Sequence, residues 1–400
     1  MSTIKVNSIK NTSTDDGGIA IDNSGHVQVD GVQLPTSGAL SSRRININGA
    51  MQVAQRSTSV TGLSSSNTCQ TVDRMFIRIN GAGTFTISQS TEAPDGFSNS
   101  IKWDCTTADS SLGAGDFAYM AHRFEGQDLQ HLKKGTSGAE KVTVSFWVRA
   151  AQTGTYAFRL MDIDNDRSIG QSYTISAANT WEHKTLTFDG DTTGAFGNDN
   201  GLSCQLVWWL AAGTNFTSGA VPTAWEAKVT ADEAAGLNVN LASSTSNNFY
   251  LTGLQFEVGE KATSFEHRSF GDELAKCQRY FCKSSTYDVF PTAGTNHDTA
   301  GMFFASIVNS YTSNAAYSQV FTFPVPMRTT PGTIVTYGTQ LGSTTTTGQV
   351  SIYDSSGGAW RLGTATIHSS TDKGFNLSVS GTWGAGSNLF YGAFTASSEL

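Results

Sequence analysis

Along most of this chain apolar and polar residues alternate in short runs, and a period of two predicts β-strands. In the clearest run Val142, Val144, Phe146 and Val148 share one face, with Thr143, Ser145 and Trp147 on the other, because successive strand side chains point to opposite sides. Similar runs lie at Met75–Ile79, Thr84–Ile87, Ile101–Trp103, Thr155–Leu160, His183–Phe188, Cys204–Leu210 and Phe249–Val258. Clusters of Gly, Asn, Asp and Ser part them, and these residues form turns. Over residues 43–270 the spacing predicts a two-sheet sandwich of jelly-roll type. Adjacent Trp208 and Trp209 face opposite sides of one strand. One can therefore sit in the core while the other lies nearer the outer surface, or beneath a helix or subunit.

The flanking regions differ. Residues 1–42 open with Ile4, Val6 and Ile9, then carry two short alternations, Ile19/Ile21 and Val27/Val29, across Gly-containing turns. These are minimal strands with too few apolar side chains to stand alone. The segment is either a floppy tail or an attachment arm or intertwined shaft completed by other copies or a partner. Leu34 to Ser42 reads as a linker. Near Ser269 the period changes: Ser269 and Asp272 suit a helix start, and Leu274, Cys277 and Phe281 follow at helical spacing. That predicts a short helical connector over 271–283. Residues 284–400 return to strand and turn at Met302–Val308, Ser318–Phe323, Thr333–Tyr337, Gln349–Tyr353, Ala365–His368, Phe375–Ser380 and Leu389–Phe394. They suit a second, smaller β-sandwich, in which Pro324 and Pro326 end one strand. The expected fold class is all-β.

Composition agrees and excludes several roles. Charged residues make up only 14%, while Gly numbers 41 and Phe 23, too little Leu, Glu and Lys for a helical protein and too many aromatics for disorder. The net charge is -8, with no Lys or Arg run longer than two. Nucleic acid and anionic membrane are therefore disfavoured as partners. No stretch approaches the roughly 18 apolar residues of a membrane span. The first residues lack a signal peptide's apolar centre, which predicts synthesis in a cytoplasm. Five widely spaced cysteines, Cys69, Cys105, Cys204, Cys277 and Cys282, read as reduced apolar fillers rather than a disulfide framework.

Several motifs stand in a fixed order between Ile47 and Phe281. Ile47 to Arg56 reads INGAMQVAQR, and Val72 to Met75 reads VDRM. Arg123 to Gln127 reads RFEGQ, and Val144 to Arg149 reads VSFWVR. Leu251 to Gly259 reads LTGLQFEVG, followed by FEHRSFGDEL from Phe265 and CQRYF from Cys277. This block resembles a module of bacteriophage tail-fibre and other virion-fibre proteins and covers more than half of the chain. The resemblance implies a jelly roll similar to carbohydrate-binding modules, carried on a trimeric fibre. One departure is Met75, where the family pattern often has Trp, so that either a sugar platform is lost or a core residue is changed. The 1–42 arm looks like a virion-attachment segment and 284–400 like a variable fibre tip.

Candidate chemistry is sparse. Asp162, Asp164 and Asp166 alternate in a loop and are weak Ca²⁺ ligand candidates, but Arg167 and Tyr173 stand where an EF-hand loop needs Gly and Glu. A solvated turn is the competing reading. His122 and His131 flank Glu125 and Asp128, and within the module Arg123 and Glu125 read as a structural ion pair. No nucleophile elbow, paired metal histidines or phosphate loop stands out. Sugar recognition would draw on Trp147, Trp181, Trp208, Trp209, Trp225, Trp360 and Trp383, and the sequence nominates no specific glycan contact.

The combined expectation is a non-enzymatic virion structural protein without cofactor, most simply a tail fibre adhering to a host-surface polysaccharide. The expected partners are two further copies in a homotrimer and other virion proteins through the N-terminal segment. A capsid fibre, decoration or collar protein without receptor is the alternative, and a glycan depolymerase a third.

Overall fold

Between Ser59 and Val258 every strand pairs with antiparallel neighbours. They are β1 (Ser59–Cys69), β2 (Met75–Ser90), β3 (Ser100–Thr107), β4 (Phe117–Glu125), β5 (Val142–Ala150) and β6 (Gly154–Asp162). They continue as β7 (Arg167–Ile175), β8 (Glu182–Phe188), β9 (Leu202–Ala212), β10 (Glu226–Ala227) and β11 (Asn248–Val258). The structure is a computed structural model, and it describes residues 8–10, 18–21, 27–29, 32–33, 42–291, 304–309, 315–338, 347–355, 357–382 and 387–400.

The pairing is nested. β6 and β7 form the innermost hairpin, and β5–β8, β4–β9 and β3–β11 close around it in turn. One sheet thus runs β8-β5-β11-β3 and the other β4-β9-β6-β7, with β10 at its edge. This is jelly-roll winding, as the strand spacing predicted. β2 serves both sheets, its first half paired with β4 and its second half with β3. Between the halves Gly81 and Gly83 have φ of 69° and 67°, a conformation that strains any residue with a Cβ. A Cβ on Gly81 would lie 2.2 Å from Asp116 Oδ1. The two glycines let one strand turn the corner.

Alternation fills the space between the sheets. Val142, Val144, Phe146 and Val148 point inward with Trp103, Phe158, Trp208 and Phe256. Met75 is 1% exposed in this core, so it is a changed core residue and no lost sugar platform. All five cysteines are buried and free. Burial pushes the Cys69 and Cys282 thiols up to about 12, which leaves them unreactive.

The N-terminal strands Ser8–Lys10, Gly18–Ile21, Val27–Val29 and Val32–Gln33 form a four-stranded meander. Ile9 stands opposite Ile19, Ile19 opposite Val29, and Ile21 opposite Val27. Ile9, Ile19, Ile21 and Val27 remain exposed. Ile4, Val6, the linker up to residue 41, Met302 and Trp383 lie outside the described residues.

A helix over Phe270–Gln278 begins as expected, with Ser269 Oγ accepting from Asp272 N at 3.1 Å. Its buried face differs from the expected apolar stripe. Glu273 and Cys277 are buried, and the Glu273 carboxylate takes bonds from the Arg44 guanidinium and the Asn48 backbone N–H. Phe281 is not helical at all: Phe281–Lys283 is a strand paired with Ser387–Ser397, so the C-terminal sheet begins inside the expected connector. That sheet, nine-stranded among the described residues, closes on Val350, Ile352, Phe375, Leu377 and Phe394. The first expected run becomes Phe304–Asn309, the second shrinks to Phe321–Thr322, and Ala365–His368 lengthens to Ala359–Thr371. Among the described residues no helix is long and apolar enough to cross a membrane.

Buried charges tie the C-terminal region to the jelly roll. Arg56 and Arg74 both reach Glu399; burial opposes its ionisation, but the two guanidinium groups hold the carboxyl below its ordinary range. Arg279 grips Glu125 at 2.8 and 2.6 Å, and Tyr280 donates to the same carboxylate at 2.5 Å. The expected Arg123–Glu125 pair is therefore absent. Glu125 ends β4 where the chain enters the 3-10 helix Gly126–Leu132, so its carboxylate meets the connector. Arg123 instead lies 3.3 Å over the Phe76 ring and donates to the Leu400 carbonyl.

Candidate functional site

Trp208 belongs to the core, so alternation along β9 sends Gln205, Val207 and Trp209 to the outer face of their sheet. Strand register then fixes their neighbours: Arg78 on β2, Tyr119 on β4, Trp209 on β9 and Ala157 on β6 stand in one row. An outer face this apolar needs cover, and the chain between β9 and β11 supplies it. The short helix Thr214–Thr217 sets Phe216 5.4 Å from Trp209 and 5.2 Å from Phe117. Farther along, Arg159 rises from the sheet and donates to the carbonyls of Asp232 and Ala235. Arg159 is fully buried, and burial pulls its pKa down to about 10. It pins the strap to the sheet.

The strap does not fill the space beneath it. A cavity of about 350 Å³ remains, lined among others by Arg78, Phe117, Tyr119, Gln205, Trp209, Phe216 and Glu233, a volume suited to a small ligand or a few atoms of a chain. Tyr119 and Trp209 lie 4.8 Å apart at the floor. Trp209 Nε1 and Gln205 Oε1 are buried without a hydrogen-bond partner. Gln205 Nε2 meets only Met161 Sδ, at 3.3 Å, a weak acceptor. Buried polar groups are nearly always bonded, and these two unpartnered atoms belong to residues that line the cavity.

Lys228 lies 3.4 Å from Asp166 and 3.7 Å from Glu233. Burial raises the pKa of Glu233 against the pull of Lys228 and Arg78. Burial likewise raises that of Tyr119, so its hydroxyl stays a neutral donor. Ring faces, an indole N–H, a hydroxyl and an amide together can hold a ligand with one apolar face and a hydroxylated edge. A larger cavity of about 680 Å³ beside the helix is lined by Arg44, Glu266 and Arg268, whose charges are already engaged with one another and with Glu273.

The aspartates do not converge. Asp162 is buried against Lys134 Nζ at 2.5 Å and accepts from Asn165. Asp164 accepts from Gly197 N at 2.8 Å, and Asp166 is an exposed turn residue with φ of 49°. The loop is a turn, held by the Lys134 ammonium, which also meets Asp191 and the carbonyls of Thr193 and Gly194. Among the described residues no group of three or more His, Cys, Asp or Glu side chains could hold a metal ion.

His122 is buried, and burial with Arg74 and Arg44 holds its pKa well below the ordinary value. Of the tryptophans, Trp225 donates to Asp189 O and Trp147 lies against His183; Trp181 and Trp360 rest on tyrosines. Among the described residues, only Trp209 of the tryptophans lines the cavity. Alternation from Trp209 could have found Gln205, whereas Arg78, Tyr119, Phe216 and Glu233 required the register and the strap.

No protein-family model matches the chain, and no curated protein sequence matches it. Among solved structures it is similar to the enzymatically active domain of tailspike protein 4 of bacteriophage CBA120, with 12% identity over 50% of this chain and a TM-score of 0.28. That match spans only 21% of the tailspike chain. It is also similar to a xylan-binding domain of carbohydrate-binding module family 22, with 12% identity over 51% of this chain and 99% of that one, at a TM-score of 0.27. A family 11 carbohydrate-binding module from Clostridium thermocellum, bound to a mixed-linked tetrasaccharide, gives 10% identity over 52% and 99% and a TM-score of 0.25. At these scores the likenesses fix neither a site nor a ligand in this chain.

Proposed function

We propose that this protein is a non-enzymatic bacteriophage fibre, a tail fibre that adheres to a host-surface glycan through the strapped outer face of its jelly roll. The observation that carries the binding role is the cavity, where stacked rings meet orphaned polar atoms on a rigid sheet. The ordered motif block from Ile47 to Phe281 supports the virion role by resemblance. Its polar and charged members are engaged: Asp73 with Gln55 and Arg56, Glu125 with Arg279, and Glu273 with Arg44 just ahead of the block. They hold the module, helix and C-terminal sheet together, as a display scaffold requires. The exposed Ile and Val side chains of the N-terminal meander favour a homotrimer, in which copies cover one another and weak glycan contacts gain avidity.

The deciding experiment measures binding of the full chain to polysaccharide from its host. The native protein should bind, and Phe216→Ala should weaken binding up to about tenfold in a chain that stays folded but unfolds more easily. Absence of binding to any host glycan overturns the adhesion role. Release of new reducing ends would make the protein a depolymerase. Immunogold on capsids rather than tails would reassign it as a head fibre, and a stable monomer on sedimentation would remove the trimer.

A further inference from the structure

We infer that the cleft selects an acidic sugar, a pyranose carrying a carboxylate, and that Arg78 is the residue that recognises the charge. The inference rests on the proposed glycan-binding role and narrows the ligand of the same cavity.

Most of the other arginines already have partners. Arg44, Arg56, Arg74, Arg149, Arg167 and Arg279 each meet a carboxylate. Arg159 and Arg328 direct their donors at backbone carbonyls, and Arg123 does so while covering Phe76. Arg78 has none of these partners among the described residues. Its surroundings are the Phe117 ring, 5.6 Å away, and the Tyr119 hydroxyl. A guanidinium has five donors in a planar fork, so most of this one is unspent, half-buried on a cavity wall in a protein of net charge -8.

Position adds the second part. Neighbouring strands lie about 4.8 Å apart, and Arg78, Tyr119 and Trp209 occupy three successive strands in one row. A ring resting over Tyr119 and Trp209 therefore brings its edge to Arg78. The other charges facing the cavity are Lys228, which meets both Asp166 and Glu233, and Glu233 itself, which also attracts Arg78. An anion entering the cleft is repelled by Glu233 and finds its partner at Arg78. A carboxylate matches the guanidinium fork in two parallel bonds, which an ammonium cannot reproduce. In a partly desolvated cleft that pair is stronger than on open surface.

The test measures calorimetric affinity of the full-length protein for matched oligosaccharides: oligogalacturonate against oligogalactose, oligoglucuronate against oligoglucose, and each acidic probe after chemical reduction of its carboxyls. The expected result is tighter binding of at least one acidic probe by about tenfold or more, lost on carboxyl reduction and weakened by salt. Arg78→Gln should abolish that preference, and Arg78→Lys should restore only part of it. Equal affinity for acidic and neutral probes overturns the inference and leaves the glycan-binding role standing. No affinity for either class overturns both. If Arg78→Gln proves unstable, the carboxyl-reduced probes on the native protein decide alone.

Discussion

Two glutamines occupy equivalent places on the outer faces of the two jelly-roll sheets, and they are treated in opposite ways. Gln255 on β11 is fully buried beneath the chain that follows its strand. Its Nε2 donates to Glu257 at 2.8 Å and to Thr263 Oγ1 at 2.9 Å, and its Oε1 accepts from Glu266 N at 2.8 Å. Gln205 on β9 is 8% exposed beneath a strap of similar kind, yet its oxygen has no partner and its nitrogen meets only sulfur. The first strap satisfies the amide of Gln255, although Thr252 Oγ1 on the same strand has no partner. The second leaves the amide of Gln205 unsatisfied over a cavity and has kept a place for something else. Aromatic content alone would not separate the two faces, since Trp147 stands on the first and Trp209 on the second.

Four substitutions can break or sharpen this contrast. The largest effect belongs to the satisfied face: Glu257→Ala removes the acceptor for Gln255, Thr263 N and Thr263 Oγ1. It should cost about 3 kcal/mol in denaturant unfolding; a loss near zero would make that strap dispensable. Arg159→Met should cost about 2 kcal/mol by orphaning the Asp232 and Ala235 carbonyls. Hydrogen exchange should rise between 213 and 240 and stay unchanged between 259 and 268. Gln205→Leu replaces an orphaned amide with an apolar side chain of similar size, so stability should hold or rise by up to about 1 kcal/mol while glycan affinity falls. A large loss of stability there would show that Gln205 is satisfied after all.

The smallest effect is electrostatic. Burial, against Lys228 and Arg78, raises the pKa of Glu233. A raised carboxyl contributes stability that is fully present below its unfolded value near 4.5 and lost as pH climbs through the folded value. Glu233→Gln keeps the neutral form at every pH. Its advantage over the native chain should therefore grow upward from about pH 4.5, then level off at about 1 kcal/mol or less. Thermal unfolding across pH checks this, and an advantage that shrinks with rising pH would reverse the sign.

Much of the fold was legible because strands advertise themselves locally. The run from Val142 to Val148 needed only alternation to place four residues in the core, and Trp208 and Trp209 had to part company for the same reason. The cap at Ser269 was readable because Ser269 and Asp272 lie within one turn. Expectations failed where a side chain chose between distant partners. Arg123 and Glu125 are two residues apart, yet Glu125 pairs 154 residues away with Arg279. Helical spacing suggested an apolar stripe through Leu274 and Phe281, but Arg44 draws Glu273 inward instead.

By itself the sequence determined an all-β chain, a jelly roll within residues 43–270, cysteines serving as apolar fillers and an acidic net charge. These follow from local period, turn chemistry and composition, which need no knowledge of what meets what. Only the tertiary structure decided which tryptophan lines a cavity, that Asp162 meets Lys134, and that Arg78 stands beside Tyr119 in the row that includes Trp209. Those outcomes depend on strand register and on where one strap lands, and both are set by packing energies summed over the whole sandwich. A one-residue slip would send Arg78 into the core.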